Sequence, residues 1–395
     1  MVSLAVEVGS RVIWPGFKAG LKVTISPEGK TPSSKRPVVA FLLDASGSMA
    51  KYSGVRRYKA SKIDVAKKAL RDAIESLPNG SRVYVYAFSS AGVVPVVEGV
   101  LLSKVTRLGV FEKLEEVAPK GETPMYRALR EACEKVSKFS DNFPFIVLLT
   151  DGVPSYVKEL RAYEKLVEDM KRVRARAVCV GIGVEYNEAL LSLIAEGSGG
   201  WFIHVGDDNI DSLPAIFREI VRHSVVYGYD ATLTLTHAAV DSLEVYGAVE
   251  RVDNTLVLRV GELTGVRRFY GVLEFGERRG EPGTLFKVLE VILTYRDIET
   301  GREEALREEV VLPLASSMGE FMDNNDLELL HEAYLAGGII SQIDASFLEK
   351  TLTIARGSKR VDKSMVERAE ETLRALRRGD EKTLRSHISK TLRGV

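Results

Sequence analysis

The chain of 395 residues has little of what marks several common protein classes. It has two cysteines, Cys133 and Cys179, in patterns typical of a helix core and a strand core. We interpret them as buried thiols, so no disulfide framework is predicted. Because 55 Lys and Arg residues balance 55 Asp and Glu residues, there is no overall charge to attract nucleic acid or an anionic membrane.

Long apolar runs are also missing. No stretch approaches the ~20 apolar residues of a membrane-spanning helix, and no basic segment followed by an apolar one marks a signal peptide. We therefore expect a cytoplasmic protein without membrane insertion. Glutamine occurs once, at Gln342, whereas 28% of the residues are charged. This composition, rich in charge and poor in thermolabile amides, fits a protein from a thermophile.

Several catalytic motifs are incomplete or missing. No Gly-x-Gly-x-x-Gly follows the first apolar strand, so no loop is predicted to cradle a phosphate. His331 and Glu332 begin like a zinc-protease helix, but Leu335 stands where the second histidine would be. There is no nucleophile elbow and no kinase motif set. The sequence therefore favours a protein that is not an enzyme.

The chain is organised around one short stretch. A continuous apolar run at 38–43 ends at Asp44, and Ser46 and Ser48 follow at alternate positions. The run is typical of a central strand in a parallel sheet, buried on both faces, and ligands bind beyond the carboxyl ends of such strands. One carboxylate and two hydroxyls form a set of hard oxygen donors, which suits Mg²⁺ or Mn²⁺ better than zinc.

Two later stretches extend this set. The apolar run 145–150 ends at Asp151, and Thr123-Pro124 is predicted to open a helix with Thr123 as its cap. An alternative is that Asp44 and Asp151 only cap helices of a dinucleotide-type fold, although the missing glycine-rich loop counts against it.

On these residues the sequence resembles the von Willebrand factor type A (VWA) family. The Asp-x-Ser-x-Ser motif corresponds to Asp44, Ser46 and Ser48, the Gly-x-Thr threonine to Thr123, and the aspartate of Thr-Asp-Gly to Asp151. The resemblance implies that these five residues form a metal-ion-dependent adhesion site. In such a site a divalent cation keeps one coordination position for a carboxylate of a partner protein, and no chemistry follows.

The order of elements predicts an α/β fold with further layers. Residues 37–226 alternate strand and helix, as a doubly wound, Rossmann-like VWA domain requires. Residues 227–316 read as an antiparallel β-sandwich, which the two apolar strands within residues 1–36 are expected to join because unpaired edges are costly. Residues 317–380 are predicted to be helical, and 381–395 to form a basic, flexible tail.

Two segments are candidates for regulation. The loop after the first motif carries Lys51, Arg56, Arg57 and Lys59, which form either a solvated loop or a docking surface for an acidic or phosphorylated partner. The tail is either a frayed end or a phosphorylation-controlled contact, because chain ends are accessible to kinases. Its candidate hydroxyls are those of Thr383, Ser386, Ser389 and Thr391.

The layout of the whole chain resembles the VWA–sandwich–helical arrangement of the Sec23/Sec24 coat proteins. It is also similar to crenarchaeal VWA regulators of motility of the ArnB type, which bind a forkhead-associated-domain partner and are phosphorylated by Ser/Thr kinases. This resemblance implies a non-enzymatic, metal-dependent interaction scaffold. A co-chaperone of a MoxR-type AAA+ ATPase is the alternative function, and a metal-dependent hydrolase is a third.

Overall fold

The structure is a computed structural model. It describes residues 2–27, 35–51, 60–247, 249–341, 345–356 and 361–392. The chain divides into two compact units. We call Thr31–Val226 the α/β unit, and Met1–Lys30 together with Tyr227–Val395 the sandwich–helix unit. The chain opens in the second of these, with strands β1 (Val2–Val8) and β2 (Lys18–Pro27).

The α/β unit contains a six-stranded sheet in the order β5-β4-β3-β6-β7-β8. All neighbouring pairs are parallel except β4 and β5, which form an antiparallel edge hairpin. The strands are β3 (Val38–Asp44), β4 (Arg82–Ser89), β5 (Gly92–Leu101), β6 (Phe145–Thr150), β7 (Arg176–Ile182) and β8 (Phe202–Val205).

Helices cover both faces of this sheet. They are α1 (Lys62–Ser76), α2 (Lys104–Glu115), α3 (Met125–Val136), α4 (Leu160–Arg172), α5 (Glu188–Gly197) and α6 (Leu213–Arg222). Alternate residues of β3 enter opposite apolar cores: Phe41 packs with α1 and α6, whereas Leu42 packs with α3, α4 and α5. Every residue of β3 is therefore buried, as its unbroken apolar run predicts.

The sandwich–helix unit contains two antiparallel sheets with one shared core. Their orders are β1-β2-β13-β10 and β11-β12-β9-β14-β15. The further strands are β9 (Gly228–His237), β10 (Ser242–Val245), β11 (Val249–Val252), β12 (Thr255–Leu263), β13 (Arg267–Glu274), β14 (Leu285–Asp297) and β15 (Glu303–Pro313). Strand β2 pairs with β13, which confirms that the N-terminal strands join the sandwich.

Among the described residues, five helices complete this unit: α7 (Met318–Asn324), α8 (Leu327–Ser341), α9 (Ala345–Ala355), α10 (Lys363–Arg378) and α11 (Glu381–Leu392). Tyr270 and Val272 of β13 pack with α8, α9 and α10 in a core of their own. No helix among the described residues has the length and apolar content needed to cross a membrane.

The prediction of a flexible tail is wrong for residues 381–392. After Gly379 ends α10 with a φ of 67°, the chain turns and forms α11, which contacts α8 and α10. Leu384 and Ser386 are buried there. The apolar positions in this segment are sparse, so its sequence reads as polar, but the packing against neighbouring helices stabilises the helix.

Candidate metal centre

The candidate site lies where β3 and β6 end side by side. These strands pair in parallel, with Val39 opposite Phe145 and Leu43 opposite Leu149. Because the carboxyl ends of parallel strands meet at one edge, Asp44 and Asp151 emerge close together although 107 positions separate them. Both carboxylates are fully buried.

Three of the predicted ligands form one chain of hydrogen-bonded oxygens. The Oγ atoms of Ser46 and Ser48 are 3.0 Å apart, and the hydroxyl of Ser48 donates to Oδ1 of Asp151 at 2.6 Å. The alternation of the Asp-x-Ser-x-Ser motif therefore turns both serine hydroxyls towards the second strand. The geometry brings together residues that the sequence analysis could associate only by resemblance.

Asp44 is anchored from two sides. Its Oδ1 accepts the backbone N–H of Ser46 at 2.8 Å, and its Oδ2 accepts the hydroxyl of Thr150 at 2.5 Å. Burial raises the pKa of the Asp44 carboxyl to about 6, although these hydrogen bonds oppose the shift. A buried carboxylate of this kind is stabilised by a nearby cation.

Thr123 has a different local role from the one its sequence predicts. The cap of α3 is Pro124, and no side chain caps the helix, so the prediction that Thr123 is the cap is wrong. The Thr123 backbone is fixed instead by Ser155, whose hydroxyl accepts the Thr123 N–H at 2.8 Å. A Cβ on Gly152 would lie 3.5 Å from Oγ1 of Thr123 and 3.9 Å from Oγ of Ser48. The threonine hydroxyl thus approaches the same region as the serines.

The donor set fits a hard divalent cation. It consists of two carboxylates and three hydroxyls, and it has no nitrogen or sulfur ligand, which is the chemistry that Mg²⁺ and Mn²⁺ prefer. Among the described residues, this site included, no three His, Cys, Asp or Glu side chains converge as a metal site would require, so the candidate set depends on its hydroxyl donors as well as on Asp44 and Asp151.

Two residues at this edge were missed by the sequence analysis. Lys62 begins α1 and is buried, with Nζ 3.3 Å from Oδ2 of Asp151 and 3.1 Å from Oδ1 of Asp207. Asp207 follows the apolar strand β8. The pattern that identified Asp44 and Asp151 in the sequence, an acidic residue at the end of an apolar strand, therefore also identifies Asp207. Nothing in the sequence distinguishes Lys62 from the other lysines of its helix.

Of the four basic residues predicted to form a docking surface, the structure describes only Lys51. The ammonium of Lys51 pairs with Glu185 at 2.9 Å, and both side chains are exposed. Arg56, Arg57 and Lys59 lie outside the described residues, so the predicted docking loop stays a prediction.

The tail hydroxyls are less accessible than expected. Ser386 and Thr391 are buried, and the Thr391 hydroxyl donates to the carbonyl of His387 at 2.9 Å. Thr383 is half-buried and donates to Asp380 at 2.7 Å. The side chain of Ser389 lies outside the described residues. The expectation that a frayed end presents these hydroxyls to kinases is therefore wrong for Ser386 and Thr391.

A cavity of about 370 Å³ opens beside the candidate ligand Thr123. Its walls come from the β4–β5 turn, the start of α3 and the loop after β6. It is lined by Ser89, Ser90, Ala91, Gly92, Pro124, Met125, Tyr126, Arg127, Tyr156 and Val157. The lining combines serine hydroxyls with apolar and aromatic side chains. The guanidinium of Arg127 and the ring of Tyr156 are largely exposed there, and Nε of Arg127 donates to Glu131 at 2.8 Å.

The fold is that of VWA domains, and comparison with known sequences agrees. The von Willebrand factor type A domain family matches residues 38–202. Two proteins of Bacillus subtilis (strain 168) are similar. Uncharacterized protein YwmC is 30% identical over 202 residues, which are 47% of this chain and 81% of YwmC. Uncharacterized protein YwmD is 32% identical over 126 residues, and the chain spans about half of it, 54%. The chain belongs to the von Willebrand factor type A family.

Solved structures extend the likeness beyond the VWA domain. A von Willebrand factor type A protein from Catenulispora acidiphila has a TM-score of 0.61 at 18% identity, over 99% of this chain and 97% of that one. The ArnB paralog VWA2 from Sulfolobus acidocaldarius has a TM-score of 0.53 at 21% identity, over 99% and 98%. The human COPII-coat protein Sec24c has a TM-score of 0.51 at 15% identity, over 92% and 58%. At these identities the likeness concerns the fold alone.

Proposed function

We propose that this protein is a non-enzymatic interaction scaffold that binds partner proteins through a divalent metal ion, Mg²⁺ or Mn²⁺. One observation carries the proposal: the hydroxyls of Ser46 and Ser48 and the carboxylate of Asp151 form a continuous set of oxygens at the end of β3. Asp44 and Thr123 complete a donor set that leaves a metal ion accessible from the edge of the sheet. A hard cation held there takes a further oxygen ligand, and a partner's acidic side chain supplies it.

The surroundings of the site indicate what else such a partner carries. The cavity beside Thr123 has room for an apolar side chain. Val153, Tyr156 and Leu160 expose apolar surface on the loop after β6 and at the start of α4, and exposed aromatic residues are typical anchors of interfaces. We infer a partner segment in which an acidic residue lies close to a bulky apolar one.

Calorimetric titration with MgCl₂ and MnCl₂ tests the metal step. The wild type is expected to bind one ion, and Asp44→Ala to lose that binding while it keeps the far-UV spectrum of the wild type. Asp169→Ala is the matched control, because Asp169 is a half-buried aspartate of α4 whose carboxylate pairs with its neighbour Arg172 at 2.7 Å. Equal metal binding by wild type and Asp44→Ala would contradict the proposal.

The partner itself is sought by capture from native lysate, with and without EDTA. The ArnB-like layout motivates a forkhead-associated-domain protein in archaeal motility regulation as the partner, controlled by Ser/Thr phosphorylation. Such a domain reads phosphothreonine, and Thr383 is the more accessible of the two candidate threonines. Mass spectrometry of protein from its native cells tests this narrower proposal, and an unmodified Thr383 under all growth conditions would end it.

The two competing functions predict different measurements. A co-chaperone of a MoxR-type AAA+ ATPase would stimulate ATP hydrolysis by that ring, independently of an acidic partner segment. A metal-dependent hydrolase would turn over a substrate as the purified chain alone. Metal-dependent capture without turnover distinguishes the scaffold from both.

A further inference from the structure

Lys62 is held in one position by its place in the fold. It is the first residue of α1, whose start is fixed by a reciprocal capping box between Ser61 and Asp64. Its backbone N–H donates to the carbonyl of Lys51 at 3.0 Å. Lys62 is 6% exposed, so its ammonium is largely removed from water and depends on the carboxylates around it.

The ammonium divides the two oxygens of Asp151 between different neighbours. Oδ1 accepts the hydroxyl of Ser48 at 2.6 Å, on the side of the candidate ligands. Oδ2 lies 3.3 Å from Nζ of Lys62, which is also 3.1 Å from Oδ1 of Asp207. The ion pair thereby orients Asp151 with one oxygen towards the metal position and the other away from it.

Gly183 shows that this ion pair occupies a closely fitted space. Its φ is +70°, and a Cβ built on it would lie 3.1 Å from both carboxylate oxygens of Asp207 and from Nζ of Lys62. Because the chain passes this close, the ammonium and the Asp207 carboxylate have little room to separate. The nearby pair of Lys51 and Glu185 adds no net charge to this edge.

We propose that Lys62 is a positioning residue that lowers the affinity of the site for the metal ion and raises the affinity of the metal-loaded site for an acidic partner group. Asp44, Asp151 and Asp207 with Lys62 leave two net negative charges, which one divalent ion neutralises. Without the ammonium, the metal would bind more tightly, but the loaded site would keep one negative charge and would repel a carboxylate. This inference rests on the proposed metal-dependent function and names the residue that tunes it.

Calorimetric titration of Lys62→Met with MnCl₂ tests the first half. Methionine retains the apolar stem and removes the charge, so the dissociation constant for Mn²⁺ is expected to fall roughly tenfold. Lys62→Arg, which retains the charge, should stay within about threefold of the wild type. Lys67→Met is the matched control. Lys67 is a second buried lysine of α1, and its ammonium donates instead to the carbonyl of Glu115 at 2.8 Å.

The second half is measured with sodium acetate as the probe. Acetate is titrated into Mn²⁺-saturated protein, and the loss of metal-bound water is followed by water-proton relaxation. Acetate binding to Lys62→Met is expected to be roughly threefold or more weaker than to the wild type, because the loaded site is more negative. A merely structural role for Lys62 would weaken both metal and acetate binding, whereas the proposal requires opposite changes.

Asp207→Asn gives a second test that does not depend on the folding of Lys62→Met. Without the Asp207 carboxylate, the Lys62 ammonium pairs with Asp151 alone and the site has one negative charge fewer. The affinity for Mn²⁺ is therefore expected to fall roughly tenfold. Unchanged or weaker metal binding by a folded Lys62→Met, or unchanged binding by Asp207→Asn, would overturn this inference alone. A wild type that binds no metal would overturn the proposed function together with it.

Discussion

The hydroxyl of Ser48 donates a 2.6 Å hydrogen bond to Oδ1 of Asp151, a residue 103 positions later in the chain. This contact exists because β3 and β6 are neighbouring parallel strands that end at the same edge of the sheet. The intervening strands and helices are the crossover that parallel pairing requires. The candidate site is thus a consequence of sheet order: Asp44, Ser46 and Ser48 follow β3, Asp151 follows β6, and Thr123 lies just before α3.

Asp44→Asn should separate metal binding from folding. Asparagine has nearly the same shape, and its side-chain oxygen can still accept the Ser46 N–H. Its amide nitrogen would donate to the Thr150 hydroxyl, which now donates to Oδ2 of Asp44, so this bond is kept with its direction reversed. Since burial raises the pKa of Asp44 to about 6, replacing the charge removes a desolvation cost. We expect Mn²⁺ affinity to fall at least ~10–100-fold. In EDTA, differential scanning calorimetry should show a melting temperature no lower than that of the wild type.

The sequence alone predicts the α/β unit and the oxygen donors at the ends of its apolar strands, because both follow from local patterns. Thr123 and the grouping of all five residues into one candidate set follow only from the resemblance to VWA domains. A buried parallel strand is an unbroken apolar run, and its ligand is the polar residue that ends it. Lys62 could not be found in this way, since a lysine at the start of an amphipathic helix is ordinarily solvated. Its burial depends on Asp207 and Gly183, which other strand ends bring to it.

In the C-terminal segment 381–392, residues predicted to be solvated are instead packed in a helix. Beyond Gly379, which ends α10, basic and hydroxyl-bearing residues have the composition of a solvated chain end, and from them a flexible tail is predicted. The structure instead buries Leu384 and His387, and the ring Nδ1 of His387 lies 2.8 Å from the Thr372 hydroxyl of α10. Tertiary contacts of this kind have no signature in a short polar sequence, because they depend on the surface that α8 and α10 present.

Gly20→Ala should destabilise the sandwich–helix unit. A Cβ on Gly20 in β2 would lie 2.5 Å from the carbonyl carbon and oxygen of Leu329, so the backbone of α8 would have to move. We expect a loss of about 1–3 kcal/mol in the free energy of unfolding, measured by denaturant titration. Gly109→Ala in α2, where a Cβ would have no neighbour within 4 Å, should gain about 0.5–1 kcal/mol. An unchanged midpoint for Gly20→Ala would contradict the observed contact.

Glu332→Gln should alter the dependence of stability on pH. Burial raises the pKa of Glu332, against the Lys22 ammonium at 3.5 Å and the Tyr270 hydroxyl at 2.9 Å. A raised pKa means that the folded chain holds the proton more tightly than the unfolded chain. The stability this provides is present below the ordinary carboxyl pKa and is lost as pH rises through the folded value.

The neutral glutamine avoids that loss. The melting temperature of Glu332→Gln relative to the wild type should therefore increase as pH rises from the ordinary carboxyl pKa of about 4 through the raised pKa of Glu332, measured by thermal scans in EDTA. Glu308→Gln is the control, since Glu308 is an exposed carboxyl on β15 and its variant should follow the wild type at every pH. A constant difference between Glu332→Gln and the wild type would show that Glu332 does not titrate differently on folding.

Leu384→Ala tests whether residues 381–392 form a packed helix or a frayed end. The Leu384 side chain is 6% exposed in α11, and the helix contacts α8 and α10. Truncating a buried leucine removes apolar contact and leaves a cavity, so we expect a loss of about 2–5 kcal/mol in the free energy of unfolding. Arg385→Ala is the matched control, because Arg385 is an exposed residue of the same helix, with its guanidinium 3.8 Å from the Glu381 carboxylate. Its effect should stay within about 0.5 kcal/mol.

Denaturant titration measures both variants, and hydrogen exchange of 381–392 in the wild type should show protected amides. If both substitutions were equally neutral, the segment would be an unpacked tail, and Ser386 and Thr391 would again be open to kinases.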